Sequence, residues 1–127
     1  MALVIDSFAW VEYFKGTEEG RIVKDHIDKG DMIYTPINVL AEVYGFFKGV
    51  TRDFEFAEKV IKSKSEIYHF NENDWKRAID IKWQWRKTRR DFGLMDALVL
   101  ACAEKLNARI ITGNIHFRAM KNVIFIG

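Results

Sequence analysis

Asp96 is a single carboxylate within the apolar segment GLMDALVLACA, Gly93–Ala103. Every residue from 97 to 103 is Ala, Leu, Val or Cys, which predicts a helix that is buried on all sides. Acids in the first turn of a helix are stabilised by the helix dipole and the free N–H groups. Most such acids are solvated, however, whereas Asp96 shares a face with Leu100. Its position therefore favours a functional role over simple capping.

Asp6 and Glu42 are further acids beside apolar segments. Two carboxylates 4 Å apart repel each other by roughly 4 kcal/mol at an effective dielectric constant of 20. Three together therefore need raised pKa values or a bound cation. Carboxylate oxygens suit Mg²⁺ or Mn²⁺, and no Cys/His spacing indicates zinc. Such an ion can activate water and orient a phosphodiester for hydrolysis.

A basic and aromatic segment, KWQWRKTRR, contains no acid and includes Trp83 and Trp85. Its ordinary interpretation is a solvated helix end whose cations complement the helix dipole. The alternative is a surface for the phosphate backbone of a nucleic acid. Its five basic residues are Lys82, Arg86, Lys87, Arg89 and Arg90.

Five short apolar segments have the length and composition of buried strands. The segments between them show apolar residues at helical spacing, and neither repeats nor linkers divide the chain. The predicted strands are Leu3–Ile5, Met32–Thr35, Ile67–Phe70, Arg109–Thr112 and Val123–Ile126.

Helices are predicted between these strands. Ser7 suits the N-cap of the first, Pro36 suits the first position of the third, and Asn71 suits the cap of a long later helix. A further helix is predicted from about Asp53 to Lys64, with Phe56, Ala57, Val60 and Ile61 facing inward.

This alternation predicts a three-layer α/β/α fold with a central, mainly parallel sheet of about five strands. Ligands bind at the carboxyl ends of the strands in such sheets. Asp6 follows the first predicted strand, Asn114 follows the fourth, and Glu42 lies early in the helix after the second. We expect the fold to gather these side chains and Asp96 at one rim.

The chain of 127 residues, 49% of them hydrophobic, predicts one domain over 1–127. Its single cysteine, Cys102, excludes an intrachain disulfide. No signal peptide and no membrane-spanning segment is indicated, so we expect a cytoplasmic protein with no membrane partner. His26 and His69 are interpreted as structural residues, and His116 as a packing and capping residue near the site.

Four segments resemble the PIN-domain family, and among its members the small VapC-type toxins of bacterial and archaeal toxin–antitoxin pairs. The segments VIDSFAW, PINVLAEV, GLMDALVLACA and ITGNIHF follow one another across essentially the whole chain. The resemblance implies that Asp6, Glu42 and Asp96 bind Mg²⁺ or Mn²⁺ for the hydrolysis of RNA. The fourth acidic position of the family is Asn114 here. Its amide carries no charge, which leaves open whether the site holds one ion or two.

The resemblance also implies a mechanism for an endoribonuclease. Asp6, Glu42 and Asp96 would hold the ion, and one of them or the ion would assist deprotonation of the attacking water. Asn114 would position water or a second ion. Ser7 and Thr112 would support the ligands by hydrogen bonds. The basic residues between positions 82 and 90 would guide the RNA backbone.

A cognate antitoxin that covers the active site and a homodimer are further implications of the resemblance. Aromatic side chains are candidates for those surfaces, although core packing explains most aromatic residues equally well. The candidates are Trp10, Tyr13, Phe46 and Phe47.

Three alternatives to a nuclease can be compared with the sequence. A catalytically weak or inactive PIN-like module that binds RNA or protein is one alternative, because Asn114 replaces an acid. A signalling receiver domain would need paired acids after the first strand, but Asp6 has no acidic neighbour. A dinucleotide-binding module is disfavoured because no Gly-rich fingerprint follows Ile5.

Overall fold

Five parallel strands form the central sheet of the computed structural model, which describes residues 1–127. The strands are β1 (Ala2–Ile5), β2 (Met32–Pro36), β3 (Glu66–Tyr68), β4 (Arg109–Thr112) and β5 (Val123–Phe125). Their order across the sheet is β3-β2-β1-β4-β5. The predicted α/β fold with a parallel five-stranded sheet is therefore confirmed. β3 is shorter than predicted, because His69 and Phe70 lie beyond its end.

Six α-helices and one turn of 3₁₀-helix connect the strands in a three-layer arrangement. None of the helices has the length and apolar character that a bilayer-spanning segment requires. The helices are α1 (Ser7–Lys15), α2 (Glu18–Asp28), α3 (Ile37–Gly49), α4 (Glu55–Lys64), α5 (Glu72–Arg86) and α6 (Leu94–Leu106), and the 3₁₀ turn is Ile115–Phe117.

Two helix starts differ from the prediction by one residue. Asp6, and not Ser7, is the N-cap of α1, and its carboxylate accepts the N–H of Ser7. Pro36 is the last residue of β2 and the N-cap of α3, and it is not the first helical residue that its type predicts. In both cases the strand leads directly into the helix, and an N-cap residue has the extended backbone of a strand.

The start of α4 and the orientation of Phe56 in it also differ from the prediction. The helix begins at Glu55, whose N–H is accepted by the carboxylate of Asp53 at 3.1 Å. Ala57 and Ile61 are buried as predicted, but Phe56 is 74% exposed. The inward face is narrower than the apolar pattern suggests, since Phe56 lies about 100° around the helix from Ala57.

Trp10 is fully buried, so the prediction that it belongs to a partner surface is wrong. Its indole N–H donates to Thr35 Oγ1 at 3.1 Å, and the hydroxyls of Thr35 and Ser65 lie 2.7 Å apart. A tryptophan can be buried without loss when its N–H has such a partner. These contacts hold α1 against β2 and the start of β3.

α6 is the buried helix that its composition predicts. All residues from 97 to 103 are buried, and the helix packs against β1, β2 and β4 with α5 on its other side. Burial raises the pKa of the Cys102 thiol to about 12, so this cysteine is a packing residue.

The chain changes direction across the sheet at β1, which lies between β2 and β4. Ile5 at the end of β1 is in register with Ile111 of β4. Asp6, which follows β1, and Thr112, the last residue of β4, therefore lie at neighbouring strand ends. Parallel sheets leave a crevice at such a switch point, and ligands bind there.

Asp74 is a buried acid that joins β3, α5 and α6, away from this crevice. Its carboxylate accepts the N–H of Asn71 at 3.0 Å and the hydroxyl of Tyr68 at 2.8 Å, and it lies 3.4 Å from Lys105 Nζ. Burial opposes ionisation, but these donors together hold the pKa of Asp74 below its usual value. The Asn71 side chain in turn accepts the N–H of Asp74, which completes a capping box.

We expect Asp74→Asn to lower the free energy of unfolding by about 2 kcal/mol at pH 7, because it removes hydrogen bonds to a charged group. Since the pKa is lower in the folded state, the stabilisation is present above the unfolded value of about 3.9 and is lost as the pH falls through the folded value. Urea unfolding at a series of pH values measures the difference between variant and wild type.

The control is Asp80→Asn, which alters an exposed acid of the same helix. It should change the free energy of unfolding by less than about 0.5 kcal/mol. If the destabilisation by Asp74→Asn persisted unchanged below about pH 3, the role given to its ionised form would be wrong.

Candidate functional site

Asp6 is held rigidly at the end of β1. Its residue is 4% exposed, and its backbone N–H continues the ladder to Ile111 of β4 at 3.1 Å. Oδ1 accepts the N–H of Ser7 at 2.8 Å, and Oδ2 accepts the hydroxyl of Thr112 at 2.7 Å. Burial raises the pKa of Asp6, the hydrogen bond from Thr112 opposes this, and the charge of Asp96 adds to the rise.

Asp96 lies in the first turn of α6, where three donors surround its carboxylate. Oδ1 accepts from Nδ2 of Asn114 at 2.9 Å. Oδ2 accepts the N–H of Gly93 at 3.1 Å and lies 2.7 Å from Nδ1 of His116. The side chain is only 16% exposed. Its contacts reach across the sheet end to the segment after β4, well beyond the helix that it caps.

The segment after β4 joins the two acids. The hydroxyl of Thr112 donates to Asp6 and accepts the N–H of Asn114 at 2.9 Å. Oδ1 of Asn114 accepts the N–H of His116 at 2.9 Å, so the Asn114 side chain caps the 3₁₀ turn. One continuous hydrogen-bond network therefore contains Asp6, Thr112, Asn114, His116 and Asp96.

Glu42 contributes a third carboxylate from α3 and is exposed. Partial removal of its carboxyl from water raises the pKa of Glu42 to about 7, and the charges of Asp6 and Asp96 add to that rise. Glu42 is thus close enough to Asp6 and Asp96 for their charges to act on it.

An open cleft of about 640 Å³ adjoins the acids. Asp96 is not one of its lining residues, but Asn114, which donates to the Asp96 carboxylate, is. The lining residues are Asp6, Ser7, Phe8, Val11, Glu12, Glu42, Phe46 and Asn114.

No three His, Cys, Asp or Glu side chains are arranged as a ready-made metal site. The donor chemistry nevertheless fits a hard divalent cation, since Asp6, Glu42 and Asp96 offer carboxylate oxygens. Partial removal from water and, after it, the negative charges of Asp6 and Asp96 raise the pKa of Glu42. A cation beside these acids would relieve the repulsion between the charges. Among the common metals, Mg²⁺ and Mn²⁺ match such a donor set.

The structure supports the packing interpretation of His116, whose ring centre lies 6.2 Å from that of Phe92. It adds a direct contact of that ring with the carboxylate of Asp96, and it adds a residue to the site. Glu12 lines the cleft although sequence reasoning did not select it. Its carboxylate accepts the hydroxyl of Thr17 at 3.1 Å and pairs with Lys15 at 3.2 Å. Glu12 follows Phe8 by four residues, and this helical spacing places both side chains on one face of α1. The spacing could therefore have indicated that Glu12 lies beside Phe8 in the cleft lining.

The basic segment lies at the end of α5 and in the turn before α6. Its members Arg86, Lys87 and Arg90 are exposed, and Lys82 is half-buried. Arg89 differs, because its guanidinium donates to the carbonyl of Arg118 at 2.9 Å and lies 5.2 Å from the centre of the Trp85 ring. Arg89 therefore links the basic segment to the 3₁₀ turn.

Comparison with known structures gives several matches. The chain is similar to a chain of a toxin–antitoxin complex from Klebsiella pneumoniae, with 18% identity, a TM-score of 0.78 and 98% of each chain covered. It is also similar to a chain in the crystal structure of VapBC2 from Rickettsia felis, which is bound to a DNA fragment from the VapBC2 promoter. The identity is 22% and the TM-score 0.74, over 98% of this chain and 97% of that chain.

A third similar structure is Mycobacterium tuberculosis VapC20, described as a sarcin–ricin loop cleaving toxin. The identity is 16% and the TM-score 0.68, over 85% of this chain and 86% of that chain. At such identities the similarity shows a common fold. No curated protein sequence matches the chain. The family model of the PIN domain matches residues 3–123, nearly the whole sequence. The chain therefore belongs to the PIN-domain family.

Proposed function

We propose that this protein is a metal-dependent endoribonuclease and the toxin of a toxin–antitoxin pair. The observation that carries the proposal is the hydrogen-bond network that joins Asp6 to Asp96 through Thr112 and Asn114 at the sheet's switch point, beside a cleft that Glu42 also lines, in a PIN-domain chain. Carboxylates that repel one another at a ligand-binding crevice are suited to hold a divalent cation. A cytoplasmic location accompanies this proposal, because the substrate is RNA.

Asp6, Glu42 and Asp96 would hold Mg²⁺ or Mn²⁺, which when bound supplies an activated water and stabilises charge on the phosphate. The chain's own contribution is orientation. Thr112 and the N–H of Ser7 fix Asp6 from two sides, while Asn114 and His116 fix Asp96. Glu42 is exposed beside the cleft, where RNA and water enter. Asp6 and Asp96 are thus held in fixed orientations, whereas Glu42 lies on the exposed side of the site.

Asp96→Asn should abolish RNA cleavage with the fold retained, because it removes one of the charges that attract the cation. Cleavage of a mixed panel of structured and unstructured RNAs with Mg²⁺, Mn²⁺ or EDTA provides the measurement, and circular dichroism checks the fold. Asp91→Asn, the same change at an exposed acid five residues earlier, should cleave like the wild type.

A folded Asp96→Asn variant with full activity would remove Asp96 from the mechanism. A second function, an inactive module that binds RNA or protein, is favoured by the amide of Asn114 at the usual position of an acid. Metal binding by the wild type without cleavage of any RNA in the panel would support that module and contradict the nuclease.

Thr112→Val should lower kcat at least tenfold, because Asp6 loses the hydroxyl that orients Oδ2 and the N–H of Asn114 loses its acceptor. Thr112→Ser retains the hydroxyl and should keep most of the activity. Single-turnover cleavage at saturating metal compares the two variants. Equal activity in Thr112→Val and Thr112→Ser would show that the hydroxyl has no part in positioning Asp6.

Exposed cations at the end of α5 and in the turn before α6 support an RNA path along this part of the surface. We expect the combined change of Arg86, Lys87 and Arg90 to Gln to raise KM severalfold with little change in kcat. It should also reduce the salt dependence of RNA binding, by up to about 0.7 in slope for each phosphate that is no longer neutralised. Lys59, Lys62 and Lys64 of α4, changed to Gln together, form the matched control. An equal effect of both triple variants would argue against a specific path.

Exposed apolar side chains support a protein partner. A groove of about 700 Å³ is lined by Phe14, Phe46, Phe47, Val50 and Phe56, among others. Phe46 also lines the acid cleft, so an antitoxin segment in this groove would reach the acids. The same surface could take a second copy of the chain in a homodimer. Tyr13, another predicted surface residue, is half-buried against Trp10 and Phe14.

A further inference from the structure

Asn114 makes hydrogen bonds through both polar atoms of its side chain. Nδ2 donates to the carboxylate of Asp96 at 2.9 Å, and Oδ1 accepts the backbone N–H of His116, also at 2.9 Å. The orientation of the amide follows from these partners, because a backbone N–H can only donate and an ionised carboxylate can only accept. In a flipped amide, Nδ2 would face the N–H of His116, a donor against a donor. Oδ1 would face the carboxylate of Asp96, an acceptor against an acceptor.

We propose that Asn114 is a positioning residue for Asp96 and that the site consequently holds one divalent cation per chain. The inference rests on the proposed metal-dependent function and specifies its stoichiometry. Neither Asp96 oxygen lacks a donor, since Oδ1 has Asn114 and Oδ2 has Gly93 and His116. A neutral amide supplies part of the compensation for the Asp96 charge that a second cation would otherwise provide.

An acid at position 114 would act in the opposite way. A carboxylate 2.9 Å from the Asp96 oxygen could not donate a hydrogen bond, and its charge would add to that of the other acids. A fourth carboxylate would then join Asp6, Glu42 and Asp96, whereas Glu12 on the cleft wall already pairs with Lys15. A second cation would relieve the repulsion among these four. Oδ1 of Asn114 keeps a second lone pair, but the amide brings no charge with which to retain another ion.

Direct counting of bound Mn²⁺ by electron paramagnetic resonance of the free ion tests the inference without RNA. The wild type should bind one Mn²⁺ per chain. Asn114→Asp should bind two, and Asn114→Ala should still bind one, with an affinity reduced about ten- to a hundredfold. Asn73→Asp adds the same charge at an exposed position of α5 and should bind one.

Thermal unfolding provides an independent readout. In EDTA the melting temperature of Asn114→Asp should lie below those of the wild type and Asn73→Asp, because the new charge repels Asp96. Saturating Mn²⁺ should restore it. Asn114→Ala, which loses the donor without adding a charge, should show a smaller drop and a smaller rise with Mn²⁺.

Two ions bound to the wild type, or one ion bound to Asn114→Asp, would overturn the inference and leave the nuclease proposal intact. Complete loss of Mn²⁺ binding in a folded Asn114→Ala variant would also overturn it, because Asn114 would then be a ligand. A wild type that binds no Mn²⁺ and cleaves no RNA would instead contradict the proposed function itself.

Discussion

Negative charge gathered at one crevice is the constraint on which the rest of this site depends. The switch point of a parallel sheet brings Asp6 beside Thr112, and α6 delivers Asp96 to the same place. A buried carboxylate without partners would take up a proton. The fold meets this requirement with donors, since the Thr112 hydroxyl, the Asn114 amide and the backbone N–H of Ser7 and Gly93 all reach an acid. Orientation and charge compensation thus come from the same hydrogen bonds.

The donors are themselves positioned by contacts outside the crevice. Arg89 binds the carbonyl of Arg118 just after the 3₁₀ turn and lies over Trp85. The Trp85 ring meets Phe92, and Phe92 packs against both His116 and Phe117. The end of α5 therefore supports the turn from which Asn114 and His116 reach Asp96. A segment that the sequence marks for RNA contact serves in part to hold the site's own loop.

Sequence reasoning succeeds here where one rule acts alone. The composition of residues 97–103 is sufficient to predict the burial of α6, and the parallel-sheet rule is sufficient to bring Asp6 and Asn114 to one rim. It fails where the burial or the contacts of a side chain depend on which other elements pack against it. Trp10 and Phe56 are both large aromatics in helices, yet Trp10 is buried with Thr35 as partner and Phe56 is exposed. The contact of His116 with Asp96 could not be predicted for a similar reason, because it spans 20 positions and depends on the 3₁₀ turn that Asn114 caps.

Gly113 shows how closely the backbone of the site is packed. A Cβ at this position would overlap the ring of Phe8, which lines the cleft. The side-chain-free backbone between Thr112 and Asn114 allows the ring to lie directly against the loop. Any larger residue would displace the Phe8 ring from the loop. Glycine at 113 therefore lets the Phe8 ring, which is part of the cleft wall, lie against the loop that carries Thr112 and Asn114, the two residues that join the acids.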